Sequence, residues 1–118
     1  MQTSYFAKYK GENSVSIALG TPKWYMGRRC EKLFPKSWIL ENYKLTNDAE
    51  AYKKAYYEEV LSKLNAREIY EELGENAVLL CYEIPEEFCH RHLVAEWLER
   101  ELGIKITEFD YYEQLSFF

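Results

Sequence analysis

Ala77-Val-Leu-Leu-Cys-Tyr-Glu-Ile-Pro-Glu-Glu-Phe-Cys-His-Arg-His-Leu-Val-Ala-Glu-Trp-Leu98 passes from a continuous apolar run, through a turn containing Pro85, into an amphipathic pattern. The run Ala77 to Cys81 suits a strand covered on both faces, at the centre of a sheet. From Cys89 to Leu102 the apolar residues Leu93, Val94, Trp97, Leu98 and Leu102 recur at helical spacing, and Gly103 supplies the stop. Ile104 to Phe109 then alternates as a final strand. A strand, helix and strand joined in this way predict a right-handed parallel unit.

The rest of the chain builds outward from that unit. Residues 3–9 are rich in β-formers and read as a first strand, followed by turn chemistry at Lys10-Gly-Glu-Asn13. Val15, Ile17 and Leu19 alternate with Ser14, Ser16 and Ala18, a second strand with one strongly apolar face. Four linking residues permit a hairpin but not an ordinary parallel crossover, so a parallel arrangement requires another strand between these two. Pro22, Gly27 and Pro35 interrupt the next stretch, which reads as an ordered loop with at most a short helical turn. Ser37 is the expected cap of a short helix through Tyr43, and Asn47 or Asp48 that of a longer one, Ala49 to Leu64. Tyr52, Tyr56 and Tyr57 on the longer helix are read as packing at the edge of the core. Asn65 or Ala66 opens a further helix, Arg67 to Leu73, closed by Gly74. The expectation is a single compact α/β domain, residues 1–118, with a small, mostly parallel sheet of about four strands and flanking helices in two or three layers.

Composition supports a packed core: 47% of residues are hydrophobic, 17% aromatic and 30% charged in a chain of 118 residues. The longest uninterrupted apolar run ends at Tyr82, far short of a membrane span, and the N-terminus lacks a basic-then-apolar signal pattern, so a cytoplasmic protein is expected. Three cysteines make an odd count that a disulfide framework does not favour, which points to reduced thiols. Charge is uneven. Residues 1–65 carry 11 Lys or Arg against 7 Asp or Glu, and residues 66–118 carry 4 against 13. Lys23, Arg28, Arg29, Lys32 and Lys36 fall in one segment with Trp24, Tyr25, Phe34 and Trp38. Such interleaving suits a nucleotide or a nucleic-acid strand, but overall acidity opposes broad DNA binding. A local anion site fits better; the plainer alternative is that the aromatics cap the core while the charges face water.

Cys81 ends the apolar strand and Cys89-His90-Arg91 opens the helix after it. In open α/β sheets this edge is where ligands bind, because loops diverge there and helix N-termini present free N–H groups. Arg91 could hold a phosphate or carboxylate, His90 could move a proton, and Cys89 is a candidate nucleophile, with Cys81, Glu83 and Thr3 or Ser4 around them. Trp24 and Arg28 are further candidate ligand contacts. Glu86 and Glu87 work against a thiolate at Cys89. Two alternatives stand beside the anion pocket. Cys81 and Cys89 could be small core residues with His90 or Arg91 paired to Glu83. Zinc could draw on Cys30, Cys81, Cys89, His90 and His92, but Cys-x7-Cys is not a knuckle pair, and no metal or cofactor is assigned.

Leu79-Leu80-Cys81-Tyr82-Glu83, followed by Cys89-His90-Arg91 and a helix containing Trp97-Leu98, resembles the domain-of-unknown-function family 488 of bacteria and their phages. Thr3-Ser4-Tyr5-Phe6-Ala7, Ser16-Ile17-Ala18 and Pro22-Lys23-Trp24 are similar to a subgroup of it. The resemblance implies a compact α/β fold with a polar site built from strand ends, and no particular reaction. The second strand of that family usually ends in Arg, where this chain has Leu19; the difference implies a changed or lost anion contact. The function expected is binding of an anionic, nucleotide-like ligand or a nucleic-acid end at the Cys-His-Arg site, with catalysis open. The alternative is a non-enzymatic interaction or inhibitor protein that uses the acidic second half and the apolar tail, residues 110–118, with a homodimer among its forms.

Overall fold

A computed structural model describes residues 1–83 and 87–109. Its centre is a parallel sheet of five strands: β1 (Gln2–Tyr5), β2 (Ser14–Ser16), β3 (Arg28–Arg29), β4 (Val78–Cys81) and β5 (Thr107–Glu108), in the order β3-β2-β4-β1-β5. β4 is the middle strand, and all four of its residues are buried, as its unbroken apolar sequence requires. It lies between β1 and β2, pairing Thr3 with Leu79 on one side and Val15 with Leu79 on the other. The short β1–β2 link therefore crosses over an intervening strand, the condition that the four-residue turn imposes on a parallel pair.

The sheet has five strands where the sequence suggests about four. The extra one is β3, two exposed arginines that pair with Val15 and Ser16 inside the segment expected to be loop. Two residues are too few to show alternation. The helical turn expected nearby is a 3-10 turn at Glu31–Leu33.

Four helices follow the pattern of the sequence: α1 (Ser37–Thr46), α2 (Ala49–Glu59), α3 (Ala66–Leu73) and α4 (His90–Leu102). Asp48 caps α2 by accepting from the Ala51 N–H at 3.1 Å, and Asn65 caps α3 by accepting from Glu68 at 3.0 Å. α2 stops five residues before Leu64, its expected end; Val60 leaves helical geometry and a 3-10 turn at Leu61–Lys63 follows. Ser37 does not cap α1. The Ile39 N–H already donates to the Lys36 carbonyl at 3.0 Å, so the helix starts one residue earlier and Ser37 lies inside it. Gly103 ends α4 in the left-handed region, φ 67°, which glycine adopts without steric cost.

The two faces of the sheet are covered unequally. Val15, Ile17 and Leu79 share one core with buried residues of all four helices, among them Ile39, Tyr56, Leu73 and Leu98. On the opposite face, Val78 and Leu80 are covered by Phe6, Ala18 and Tyr25, side chains of the loop segments. Among the described residues the architecture is thus two-layered, with helices on one face only. Among the described residues no helix is long and apolar enough to cross a membrane.

Replacing the true cap should cost more than replacing the apparent one. Asp48→Ala is expected to lower stability by about 1 kcal/mol, and Ser37→Ala by no more than a few tenths, read as shifts of the urea midpoint at constant slope.

Candidate functional site

Strand order places the site. The chain leaves β2 toward β3 on one flank and leaves β4 through α4 toward β5 on the other. Loops therefore diverge at the carboxyl ends of β2 and β4, where an open parallel sheet leaves a crevice. A pocket of about 250 Å³ lies there. Ala18, Leu19 and Gly20 line it after β2, Cys81, Tyr82 and Glu83 after β4, and Phe88, Cys89 and His90 at the start of α4. Pro35, Leu40, Tyr43, Lys44 and Tyr52 complete it from the α1–α2 layer.

Cys81, Cys89 and His90 form its buried chemical cluster, with donor atoms within 4.8 Å of one another. Cys89 is the N-cap residue of α4 in extended geometry, so the chain turns at the cysteine and the first N–H groups of the helix open beside it. Cys81 and Cys89 are joined as a disulfide, where the odd cysteine count pointed to reduced thiols: the end of β4 and the N-cap of α4 bring two of the three sulfurs together, and Cys30 is free and buried elsewhere in the core. The Cα atoms of Cys81 and Cys89 are 7.3 Å apart. Disulfides usually span about 4.4–6.8 Å between Cα atoms, so this pair lies just beyond the usual range, and its reduction would leave two thiols facing a common point.

His90 Nε2 lies 2.7 Å from the Ile17 carbonyl, which makes Nε2 the protonated nitrogen and leaves Nδ1 as the lone pair. Burial pushes the imidazole down to about 4, against the opposing pull of the Ile17 carbonyl and with a smaller push from Arg91. The ring is neutral at physiological pH. Burial also raises the Tyr52 phenol far above its ordinary value, with Glu83 and then Tyr43 adding to the shift, so Tyr52 stays protonated.

Arg91 has a different place from the one its motif suggests. Its side chain is wholly buried, and it binds Glu108 through two bonds, Nε to Oε1 at 3.2 Å and Nη2 to Oε2 at 2.9 Å. Nη1 donates to the Glu83 carbonyl at 2.6 Å and to Cys81 Sγ at 3.0 Å. The guanidinium is committed within the protein, directly behind the cluster. Thr3 belongs to the same network, donating from Oγ1 to Glu108 Oε1 at 2.6 Å. Ser4, its neighbour, points to the opposite face of β1 and is buried with no hydrogen-bond partner among the described residues. Trp24 is half-exposed on the helix-free face, with Lys10 4.8 Å over its ring, and Arg28 donates to the Leu73 carbonyl at 2.7 Å. Neither lines the pocket. The residues brought together are thus Cys81, Glu83, Cys89 and His90, with Arg91 and Thr3 behind them.

Sequence reading misses Tyr43, Lys44 and Tyr52, which reach the pocket from separate helices and carry no local mark. Glu108 did carry one. It follows Ile104 and Ile106 on the inward side of an alternating strand, where a carboxylate needs a partner. The apolar tail lies outside the described residues beyond Phe109.

Residues 13–102 match the family model DUF488-N3a, described as the active DUF488-N3 subclade. The match runs from the turn before β2 to the end of α4; it contains the Cys-His cluster and Arg91 and excludes Thr3 and Glu108. No curated protein and no solved structure matches the chain.

Removing one member of a buried ion pair leaves the other charge uncompensated. Glu108→Ala and Arg91→Ala should therefore each cost about 3 kcal/mol in chemical denaturation, and the double variant should cost clearly less than their sum. Additive losses would show that the two side chains do not depend on each other.

Proposed function

The chain belongs to the DUF488 family, and from that membership we propose that its pocket binds an anionic, ring-bearing small molecule of the nucleotide kind and acts on it at the Cys-His cluster. The observation that carries this reading is the convergence of three features on one cavity. Aromatic rings of Tyr43, Tyr52 and Phe88 form walls on which a planar ring can pack. Lys44 and the start of α4 supply positive potential for a phosphate or carboxylate. Cys81, Cys89 and His90 supply the reactive atoms. The description of the matched subclade as active supports catalysis over passive binding.

Size narrows the ligand. Small-molecule pockets usually measure about 300–1,000 Å³, and this one, at about 250 Å³, holds one ring and its substituents rather than a run of nucleotides. A mononucleotide or a terminal nucleotide of a nucleic acid fits that limit. Arg91 is engaged by Glu108, so the anion contact is assigned to Lys44 and the helix N–H groups. Leu19, where the family usually has Arg, lies on the pocket lining and is 46% exposed, so a cation placed there would face the ligand.

Thermal shift with 5′-mononucleotides, their unphosphorylated nucleosides and a 5′-phosphorylated oligonucleotide tests the reading. A bound mononucleotide at a hundred times its Kd should stabilise the protein by about 2.7 kcal/mol, with the nucleoside far weaker. Lys44→Ala should weaken nucleotide binding about tenfold and leave nucleoside binding unchanged; Leu19→Arg should strengthen it. If none of these compounds stabilises the protein, the pocket reading fails and the interaction-protein alternative takes its place.

A further inference from the structure

We propose that, once the Cys81–Cys89 disulfide is reduced, Cys81, Cys89 and His90 hold one thiophilic divalent metal ion, zinc being the best fit, with a fourth position open to the pocket. The inference goes beyond ligand binding and does not require it. Sequence spacing assigns no metal here, because the two cysteines are not a knuckle pair. In three dimensions their positions are set by the end of β4 and the N-terminus of α4.

Four observations support the site. The donor atoms of all three residues lie within 4.8 Å of one another, and all three are buried. Their Cα separation of 7.3 Å is wide for a cystine. An ion bound at about 2.3 Å from each sulfur holds the sulfurs apart and removes the need to draw the backbones together. The outer contacts that tune metal ligands are also present. His90 Nε2 donates to the Ile17 carbonyl, which orients the ring and leaves Nδ1 to coordinate. Arg91 Nη1 donates to Cys81 Sγ at 3.0 Å, a contact that in the reduced form would favour thiolate over thiol. Finally, the cluster borders the cavity. Two sulfurs and one imidazole with an accessible fourth position form the donor set of reactive zinc sites, whereas structural sites close all four. On binding, the two thiols release their protons to solvent.

The test uses the full chain, reduced, freed of metal and titrated with Co²⁺ alone. Uptake of one equivalent with a thiolate-to-cobalt charge-transfer band and the intense visible bands of tetrahedral cobalt is expected, and Zn²⁺ should displace it. Cys81→Ser and Cys89→Ser should each lose the charge-transfer intensity or the uptake, while Cys30→Ser keeps both. Absence of stoichiometric uptake by the reduced wild-type chain overturns the proposal, whatever the variants do. So does uptake that survives both Cys81→Ser and Cys89→Ser. A Cys81–Cys89 bond that persists in reductant, shown by an intact mass two hydrogens lower and by resistance to alkylation, overturns it as well. Because no nucleotide is present, cobalt uptake without nucleotide binding would sink the pocket reading alone, and nucleotide binding without cobalt uptake would sink the metal alone.

Discussion

The guanidinium of Arg91 is the constraint on which the arrangement of this domain turns. A cation removed wholly from water must be paired and hydrogen-bonded, and here four acceptor contacts come from three places in the chain. Glu108 brings β5, the Glu83 carbonyl brings the segment after β4, and Cys81 brings the end of β4 itself. Thr3 then fixes the Glu108 carboxylate from β1. One side chain on α4 thereby sets the helix against three strands of the sheet. β5 is only two residues long, and its backbone pairing is correspondingly small. The ion pair on its inward face gives that edge strand a specific position that so short a ladder would not secure alone.

That restraint also aims the site. Arg91 points back into the protein, while Cys89 at the N-cap and His90 in the first turn lie beside the crevice between β2 and β4. His90 is held from the other side by the carbonyl of Ile17, just past β2. The start of α4 is therefore clamped between the two strands whose diverging loops make the pocket. With all four helices on one face, the crevice gains its aromatic walls from α1 and α2, and the opposite face is left to Phe6, Tyr25 and half-exposed Trp24.

Much of this was legible in residue order. The apolar run of β4 marked a central strand, the spacing of Leu93 to Leu102 marked α4, and the short Lys10–Asn13 turn required a strand between β1 and β2 if they were parallel. Asp48 and Asn65 were recognisable caps. Other features were not legible for physical reasons. β3 is two arginines long and held by backbone bonds that any residue could make. Ser37 looked like a cap, but helix starts depend on which carbonyl accepts first, and Lys36 does. At the site, Cys81, Cys89 and His90 emerged because they lie close together in the sequence, whereas Tyr43, Lys44 and Tyr52 arrive by tertiary packing. Arg91 read as a ligand contact because its partner lies 17 residues away, on a strand whose inward carboxylate was the one available clue.

Charge balance links the two functional ideas. Arg91 and Glu108 neutralise each other, and His90 is uncharged at physiological pH, so neither contributes net charge to the pocket. What remains is Lys44, Glu83 and, once the disulfide is reduced, the protonation of two thiols. If both thiols were ionised and bare, two negative charges at the pocket wall would oppose an anionic ligand and outweigh Lys44. A divalent ion held by the same sulfurs would cancel that charge and supply Lewis acidity to the pocket. Under the two proposals together, ionised sulfurs and an anion would compete without the metal and be compatible with it, so the state of the Cys-His cluster would govern which ligands the cavity could accept.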